Sequence, residues 1–391
     1  MIPDFLERHL FRKRGFRTQR IPRLHPALRK KMNNHQSSFS IVTPSFNQLD
    51  WLRLCVASVR DQVEEKAEKL KSQNPDTNCS PGVADSPVGK NNLGNANLSV
   101  SASRDFSISV EHIIQDAGTP GIEEFAKETG ADFYRDGVRI ADYSLPIAHS
   151  ENQQSAINNM QSRYRLAIYC ERDSGMYDAV NRGFRRANGA VFAYLNCDEQ
   201  YLPGTLNKIA ALFDASPSTD VFFCDAIVVD SEGGYVCDRK VMVPSRLHTL
   251  VSGNLSIFTS STFSRASVFK ERNLYFDVMF RNVGDADWAL RLIAAPVSLR
   301  TTRLRASVFT DTGDNLNMQP GGLHEKEQLR ERAPAWAKAF SAVIVAFYRL
   351  RRLFAGIYAL KPHSYEIYTR KSPAARTRFE ASDPSFIWPG R

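Results

Sequence analysis

Residues 169–204 read YCERDSGMYDAVNRGFRRANGAVFAYLNCDEQYLPG, and the alternation of polar and apolar positions within them decides the fold. Met176, Val180 and Phe184 recur at i, i+4 and i+8, one face of a helix from which Arg182, Arg185 and Arg186 turn away. Asn188-Gly189 follows the last periodic residue as a helix stop. The apolar run 190–195 is too short for a second helix and suits a buried strand. That strand delivers Asn196, Cys197, Asp198 and Glu199 at its C-terminal end, where open α/β sheets hold their ligands. An acidic turn straight after a buried strand needs a cation or water to satisfy it.

Upstream, residues 39–43 are alternating and β-branched, which reads as a first strand. Pro44 to Asn47 breaks it, and residues 49–63 form an amphipathic helix with Trp51, Leu52, Cys55, Val56 and Val59 on its apolar face. Strand, polar turn and helix make the first half of a βαβ unit. Residues 64–106 are rich in Asn, Ser, Lys, Gly and Pro, the composition of a disordered insertion or exposed loop. A second strand over 107–114 ends in Gln115, Asp116, Ala117, Gly118 and Thr119. Asp116 there suits either hydrogen bonds from a uracil N–H or ribose hydroxyls, or a turn that caps a helix over 123–128. Residues 131–165 are poorly periodic and read as a second decoration.

Downstream, a helix to about Ala215 turns Leu206, Ile209, Ala210 and Phe213 inward, and 220–230 is a buried strand ending in a hairpin turn at 231–234. Asp225 interrupts that apolar strand, so it is either paired or beside a site. Over 281–293, Asp285 opens a helix whose partial positive charge favours a carboxylate, while Asp287 and Arg291 stand i, i+4 and pair. Residues 325–360 are mostly helical. Their apolar stripe, edged by Arg349, Arg351 and Arg352, suits an interfacial helix and a helix packed on the main domain equally.

Composition narrows the class. The 391 residues carry a net charge of +9, with Arg and Lys concentrated over 8–31 and 349–378. Basic residues crowd the ends of the chain rather than an aromatic-rich folded surface, which argues against nucleic acid as a partner. Nothing resembles a Gly-rich triphosphate loop. Six cysteines without C-x-x-C spacing argue against zinc and against a disulfide framework, with Cys197 and Cys224 as buried thiols. No leader-like apolar region or spanning segment is visible in the sequence. The expected location is the cytoplasm, at the inner face of the cytoplasmic membrane if the C-terminal helix binds lipid.

Glu171, Asp173, Gly175, then Tyr177, Asp178, Ala179, Asn181, Gly183, then Leu195, Asn196, Asp198, Glu199 and Pro203 resemble, in order, the conserved blocks of glycosyltransferase family 2. The likeness runs from about Phe39 to about Asn317, and the segment 281–293 resembles the family's helix bearing its catalytic base. The resemblance implies a GT-A fold: an α/β, Rossmann-like, mostly parallel sheet flanked by helices, here with a C-terminal helical extension. It divides the chain into a basic arm (1–37), a catalytic domain (38–320) and a helical, basic extension (321–391). It also implies inverting transfer of a sugar from a nucleoside diphosphate, a UDP-sugar foremost, to a glycan or lipid-linked acceptor in cell-surface or extracellular polysaccharide synthesis.

The roles it implies are residue by residue. Asp285 is the catalytic base. Thr43, Pro44, Asn47, Asp116, Gly118, Asp173, Asn181 and Asn196 bind the donor. Asp198 and Glu199 hold Mg²⁺ or Mn²⁺, and Asp225, Thr262 and Asp287 lie on the acceptor side. Asn196 stands where many relatives carry the first acid of the metal motif, leaving one expected carboxylate ligand and a second in Glu199. The rival reading is a sugar-nucleotide-binding or interaction protein on the same scaffold, without turnover.

Overall fold

The apolar runs flanking the quoted stretch line up beside it as strands of one sheet. The computed structural model describes residues 36–64, 107–143, 163–313 and 320–389. Strand β1 (Gln36–Ser45) is followed by α1 (Leu49–Glu64), and β2 (Ser107–Asp116) by α2 (Ile122–Thr129). The short pair β3 (Asp132–Arg135) and β4 (Val138–Asp142) precedes β5 (Tyr164–Cys170). Helix α3 (Met176–Arg186) then leads into β6 (Val191–Tyr194), β7 (Glu199–Tyr201) and α4 (Thr205–Ala215). The remaining core elements are β8 (Val221–Asp230), β9 (Tyr235–Arg239), α5 (Arg246–Ser252), β10 (Thr262–Arg265), the single turn α6 (Ser267–Lys270), α7 (Gly284–Ala294) and β11 (Leu299–Asp311).

Neighbouring strands run β4-β3-β5-β2-β1-β6-β10-β8-β11-β7, with β9 added on β8. β3–β5, β2–β5 and β1–β6 are parallel, the last in the register Phe39↔Val191 to Val42↔Tyr194. Antiparallel β10 joins that half to β8, which pairs in parallel with β11. The architecture is mixed α/β, with helices on both faces. Because strand residues alternate in direction, β1 feeds two cores. Phe39 and Ile41 join the cluster holding Leu52, Val56, Leu206 and Phe213, and Val42 joins the one holding Val180, Phe184 and Trp288.

Helix α3 packs as its periodicity predicts. Phe184 lies against Phe192 and Phe269, with ring centroids 5.4 and 4.4 Å apart. Gly183 is where the helix comes closest to β1; a Cβ there would sit 2.4 Å from Val42 Cγ1. Arg182 and Arg186, on the far side, reach back to Glu171.

Two regions differ from the sequence reading. Within 131–165 the chain forms β3, which pairs with β5 and buries Phe133 in the core, and β4, an exposed edge strand paired with β3. Asp132 binds Arg139 and Arg165, at 2.6 and 2.7 Å, which a periodicity argument does not register. The extension from 321 onward is helical only in part. Helices α8 (Pro320–Glu331), α9 (Ala335–Ala339) and α10 (Ser341–Phe354) give way to a hairpin of β12 (His363–Thr369) and β13 (Ser372–Ala381). Its period-two pattern buries Tyr365 and Ile367 on Leu202, Ile227, Val229 and Val308. From Ser37 on, the chain is one compact unit that includes this extension. The expected basic arm, except for its last residues in β1, lies outside the described residues, as does all of the expected insertion beyond Glu64. Among the described residues, no helix is long and apolar enough to cross a membrane.

Candidate active site

A cleft of about 1900 Å³ opens where β1, β5 and β6 end. Its lining draws Pro44 and Asn47 from the β1 turn, Asp173 from the β5–α3 loop, Asn196, Asp198 and Glu199 from the β6–β7 turn, and Asp285 from the first turn of α7. Asn47 takes a left-handed φ of 55° and donates its N–H to Thr119 Oγ1 at 2.9 Å, tying the β1 turn to the β2 turn. Asp173 Oδ1 accepts the Gly175 N–H at 2.9 Å, and burial raises its pKa.

Asp285 is held by its own helix and by Tyr177. The Tyr177 hydroxyl accepts the Asp285 N–H at 3.1 Å and donates to Asp285 Oδ1 at 3.4 Å, while the Ala286 N–H reaches Oδ1 at 2.9 Å. Burial pushes the carboxyl up to about 6, against these hydrogen bonds and the nearby Lys326 charge. The chain entering α7 is fixed from α8: Glu325 accepts the N–H groups of Arg281, Asn282 and Val283 at 2.8–2.9 Å. A carboxyl that titrates near 6 is ionised at neutral pH yet basic enough to take a proton.

The acidic turn separates into two unlike groups. Asp198 is partly exposed to the cleft, and burial raises it to about 6. Glu199 is 1% exposed and its Oε2 accepts the Asn196 N–H at 2.7 Å. Burial, reinforced by the Asp198 charge, pushes Glu199 up to about 8. In the metal-free protein Glu199 is thus bound into the turn through Asn196, and Asp198 is the more accessible of the two expected metal ligands. Among the described residues no group of three or more His, Cys, Asp or Glu side chains is placed to hold a metal ion. Asp198 alone fits a hard divalent ion only in company with donor oxygens, the way Mg²⁺ is commonly held by one carboxylate, water and substrate phosphates.

Several expected site residues are held by contacts within the fold. Thr43 is fully buried, its Oγ1 3.0 Å from His112 Nε2 and 3.6 Å from Cys55 Sγ, because its strand position points into the core. Asp116 closes a turn by accepting from Gly118 N, Thr119 N and Thr119 Oγ1 at 2.8, 2.7 and 2.6 Å, and its side chain is buried. Gly118, at φ 104°, supplies that turn. Asn181 bridges both backbone groups of Phe276, at 2.8 and 2.9 Å. Asp225 accepts the Val241 N–H at 2.9 Å and pairs with Arg303 at 3.2 Å, the paired alternative for this strand carboxylate. Thr262 donates to Phe258 O at 2.7 Å. Asp287 is clamped by Arg291 and Arg332, each at 2.7 Å.

The sequence reading also missed lining residues. In the sequence Tyr177 stands only as part of a motif, and Lys326 carries no signal. The extension supplies Val345, Tyr348, Arg349, Arg352 and Trp388 to the wall. Tyr348 stacks on His248 at 3.8 Å, and burial with the Arg352 and Arg349 charges lowers His248 to about 4. The i, i+3, i+4, i+7 spacing of residues 345, 348, 349 and 352 was the available signal.

Comparison with known proteins places this site in context. Residues 150–266 match the family model described as Glycosyl transferase family 2. Over 137 residues, 34% of this chain and 49% of theirs, the chain is 26% identical to proteins of Mycobacterium bovis and Mycobacterium tuberculosis named PGL/p-HBAD biosynthesis glycosyltransferase. The chain thus spans about half the length of the curated relatives it matches. Similar solved structures include S. aureus TarS in complex with UDP, 12% identical, with a TM-score of 0.40 over 75% of this chain and 64% of that one. A second is S. aureus TarS in complex with UDP-GlcNAc, 12% identical, with a TM-score of 0.39 over 72% of this chain and 61% of that one.

Proposed function

We propose that this chain, a relative of glycosyltransferase family 2 through residues 150–266, moves a sugar from a nucleoside diphosphate to an acceptor hydroxyl with inversion. The observation that carries the reading is the position of Asp285: a carboxyl near pKa 6, oriented by Tyr177 and Ala286, in the cleft that Asp198 and Asn47 also line. Asp285 takes the acceptor proton as that oxygen attacks the anomeric carbon, and the nucleoside diphosphate departs from the opposite face. Asp198, together with the diphosphate oxygens, would hold Mg²⁺ or Mn²⁺, which supplies neutralisation of charge on the leaving group. The turns bearing Pro44, Asn47, Asp173 and Asn196 bind the donor. The acceptor is a glycan or lipid-linked saccharide of the cell surface, and a UDP-sugar is the first donor to test.

Release of nucleoside diphosphate from UDP-, GDP- and dTDP-sugars with Mn²⁺ identifies the donor. Asp285→Asn keeps size and a hydrogen-bond acceptor at the helix start. It should bind that donor as the parent does while transfer falls by roughly 10²–10⁴-fold. Near-parental transfer by the folded variant would remove Asp285 as the base. Donor binding by the parent without turnover of any acceptor would leave a sugar-nucleotide-binding protein instead.

A further inference from the structure

More than half of the large apolar side chains exposed among the described residues stand between Trp336 and Tyr358. On α10 they form a row: Val343, Phe347, Leu350 and Phe354, spaced i, i+4, i+7 and i+11, with Val343 63% and Phe354 82% exposed. Phe340 and Trp336, upstream of α10, are exposed as well. The opposite side of the same helix is occupied. Ile344 and Val345 pack against Leu250, Val251, Leu329 and Ala337, Tyr348 stacks on His248, and Val345, Tyr348, Arg349 and Arg352 line the cleft. At 3.6 residues per turn the two sets fall on opposite faces, separated by a helix diameter of about 10–12 Å. One helix thus packs by one face and presents the other bare.

Charge selects what covers the bare face. No acidic residue stands between Glu331 and Glu366, while Lys338, Lys361 and three arginines on α10, Arg349, Arg351 and Arg352, do; Arg332, ahead of them, pairs with Asp287. Among the described residues, none of the three arginines meets a carboxylate; Arg352 lies instead over the Tyr358 and Phe386 rings. A second copy of this helix would bring more arginines and no carboxylate to pair with them. An anionic lipid surface satisfies both properties, taking the apolar row among its acyl chains and Arg351, next to Leu350 at the edge of the row, at its headgroups, while Arg349 and Arg352 stay on the cleft side.

We infer that α10 docks this protein on an anionic bilayer through Val343, Phe347, Leu350 and Phe354. The docked helix is also a wall of the cleft, so the cleft lies within about one helix diameter of the lipid surface, within reach of an acceptor carried by the membrane. The inference is read from lipid binding and does not depend on sugar transfer.

The test uses the full chain with vesicles of phosphatidylcholine alone and of phosphatidylcholine mixed with phosphatidylglycerol, in a flotation assay. The parent should float with the anionic vesicles, and less so as salt rises. The triple variant Phe347→Ser/Leu350→Ser/Phe354→Ser should bind them at least about tenfold more weakly. Its melting midpoint and nucleotide affinity should match the parent's, since these side chains are exposed and outside the cleft. Arg351→Glu should reduce the preference for anionic vesicles without touching the apolar row. Equal flotation of parent and triple variant would overturn the inference, because another basic segment would then be the anchor. So would failure of the parent to bind, or a parent dimer in lipid-free solution that the triple variant dissolves.

Discussion

At the scale of single residues, the cleft is governed by where a proton stays rather than by how many acids are present. The sequence shows Asp198 and Glu199 side by side and offers no means of ranking them, because burial is a property of the folded turn. Burial and hydrogen bonding separate them into a cleft-facing carboxyl near 6 and an interior one near 8. Both are raised, and the linkage sign follows. Each contributes stability that is fully present below its unfolded pKa, near 4, and lost as pH rises through its folded value. The protein without donor should therefore lose stability between about pH 4 and 8, the upper part belonging to Glu199. Glu199→Gln mimics the protonated acid and keeps an oxygen for the Asn196 N–H. It should recover at least about 1 kcal/mol at alkaline pH and change little near pH 5, as read by denaturant unfolding across that range. The same variant should keep any Mn²⁺ enhancement of nucleotide binding, whereas Asp198→Ala should abolish it. Loss of the enhancement in Glu199→Gln would place Glu199 in the ligand set.

At the scale of elements, what was legible is what local periodicity encodes. α3, β6, α4, β8 and α7 all fall where the apolar spacing puts them, and Asp285 sits in the first turn of its helix as expected. The strands β3 and β4 were not legible, since four or five residues are too few to show a period and they owe their existence to pairing, β3 with β5 and β4 with β3. The turn that Asp116 closes was also hidden, because its partners Gly118 and Thr119 are equally good ligand residues on paper. Gly183 shows the limit most clearly. It fits the family motif, yet the physical demand is the approach of α3 to β1, visible only in three dimensions. Gly183→Ala improves helix propensity but drives a methyl into the two Val42 methyls, at 2.4 and 2.8 Å. Both backbones are anchored, so the overpacking should cost about 1–3 kcal/mol. The pair Gly183→Ala/Val42→Ala should recover part of that loss in thermal unfolding. An unchanged midpoint in the single variant would mean that α3 is free to shift.

At the scale of the whole molecule, the extension is part of the fold rather than an appendage to it. The sequence places a boundary near 320 because the family-like blocks end there, but hydrophobic burial crosses that line twice. Helices α8 to α10 join Leu329 and Ala337 to the core of Leu250, Val283 and Leu290, and the hairpin covers Leu202, Ile227, Val229 and Val308. Arg376 fastens the hairpin to α1. It donates from Nε and Nη2 to the two carboxylate oxygens of Asp61, at 2.6 and 3.0 Å, and from Nη1 to the carbonyls of Tyr201 and Glu366 at 3.0 and 2.8 Å. Both partners are largely buried, with side chains 10% and 18% exposed. Removing the guanidinium in Arg376→Ala leaves Asp61 with the Tyr368 hydroxyl, 2.9 Å from Oδ2, and the Gln62 amide, 3.1 Å from Oδ1. Stranding a largely buried carboxylate in this way should cost on the order of 3 kcal/mol. Asp61→Asn, which removes the charge and keeps the shape, should cost less. Ending the chain after Leu360 removes the pair and also uncovers the β8 and β11 side chains beneath the hairpin, so the shortened protein should lose cooperative unfolding or become insoluble. Differential scanning calorimetry of the three variants beside the full chain orders these effects. A truncated chain that melts cooperatively at the parental midpoint would show that the catalytic domain ends where the sequence motifs do and that the hairpin only rests on it.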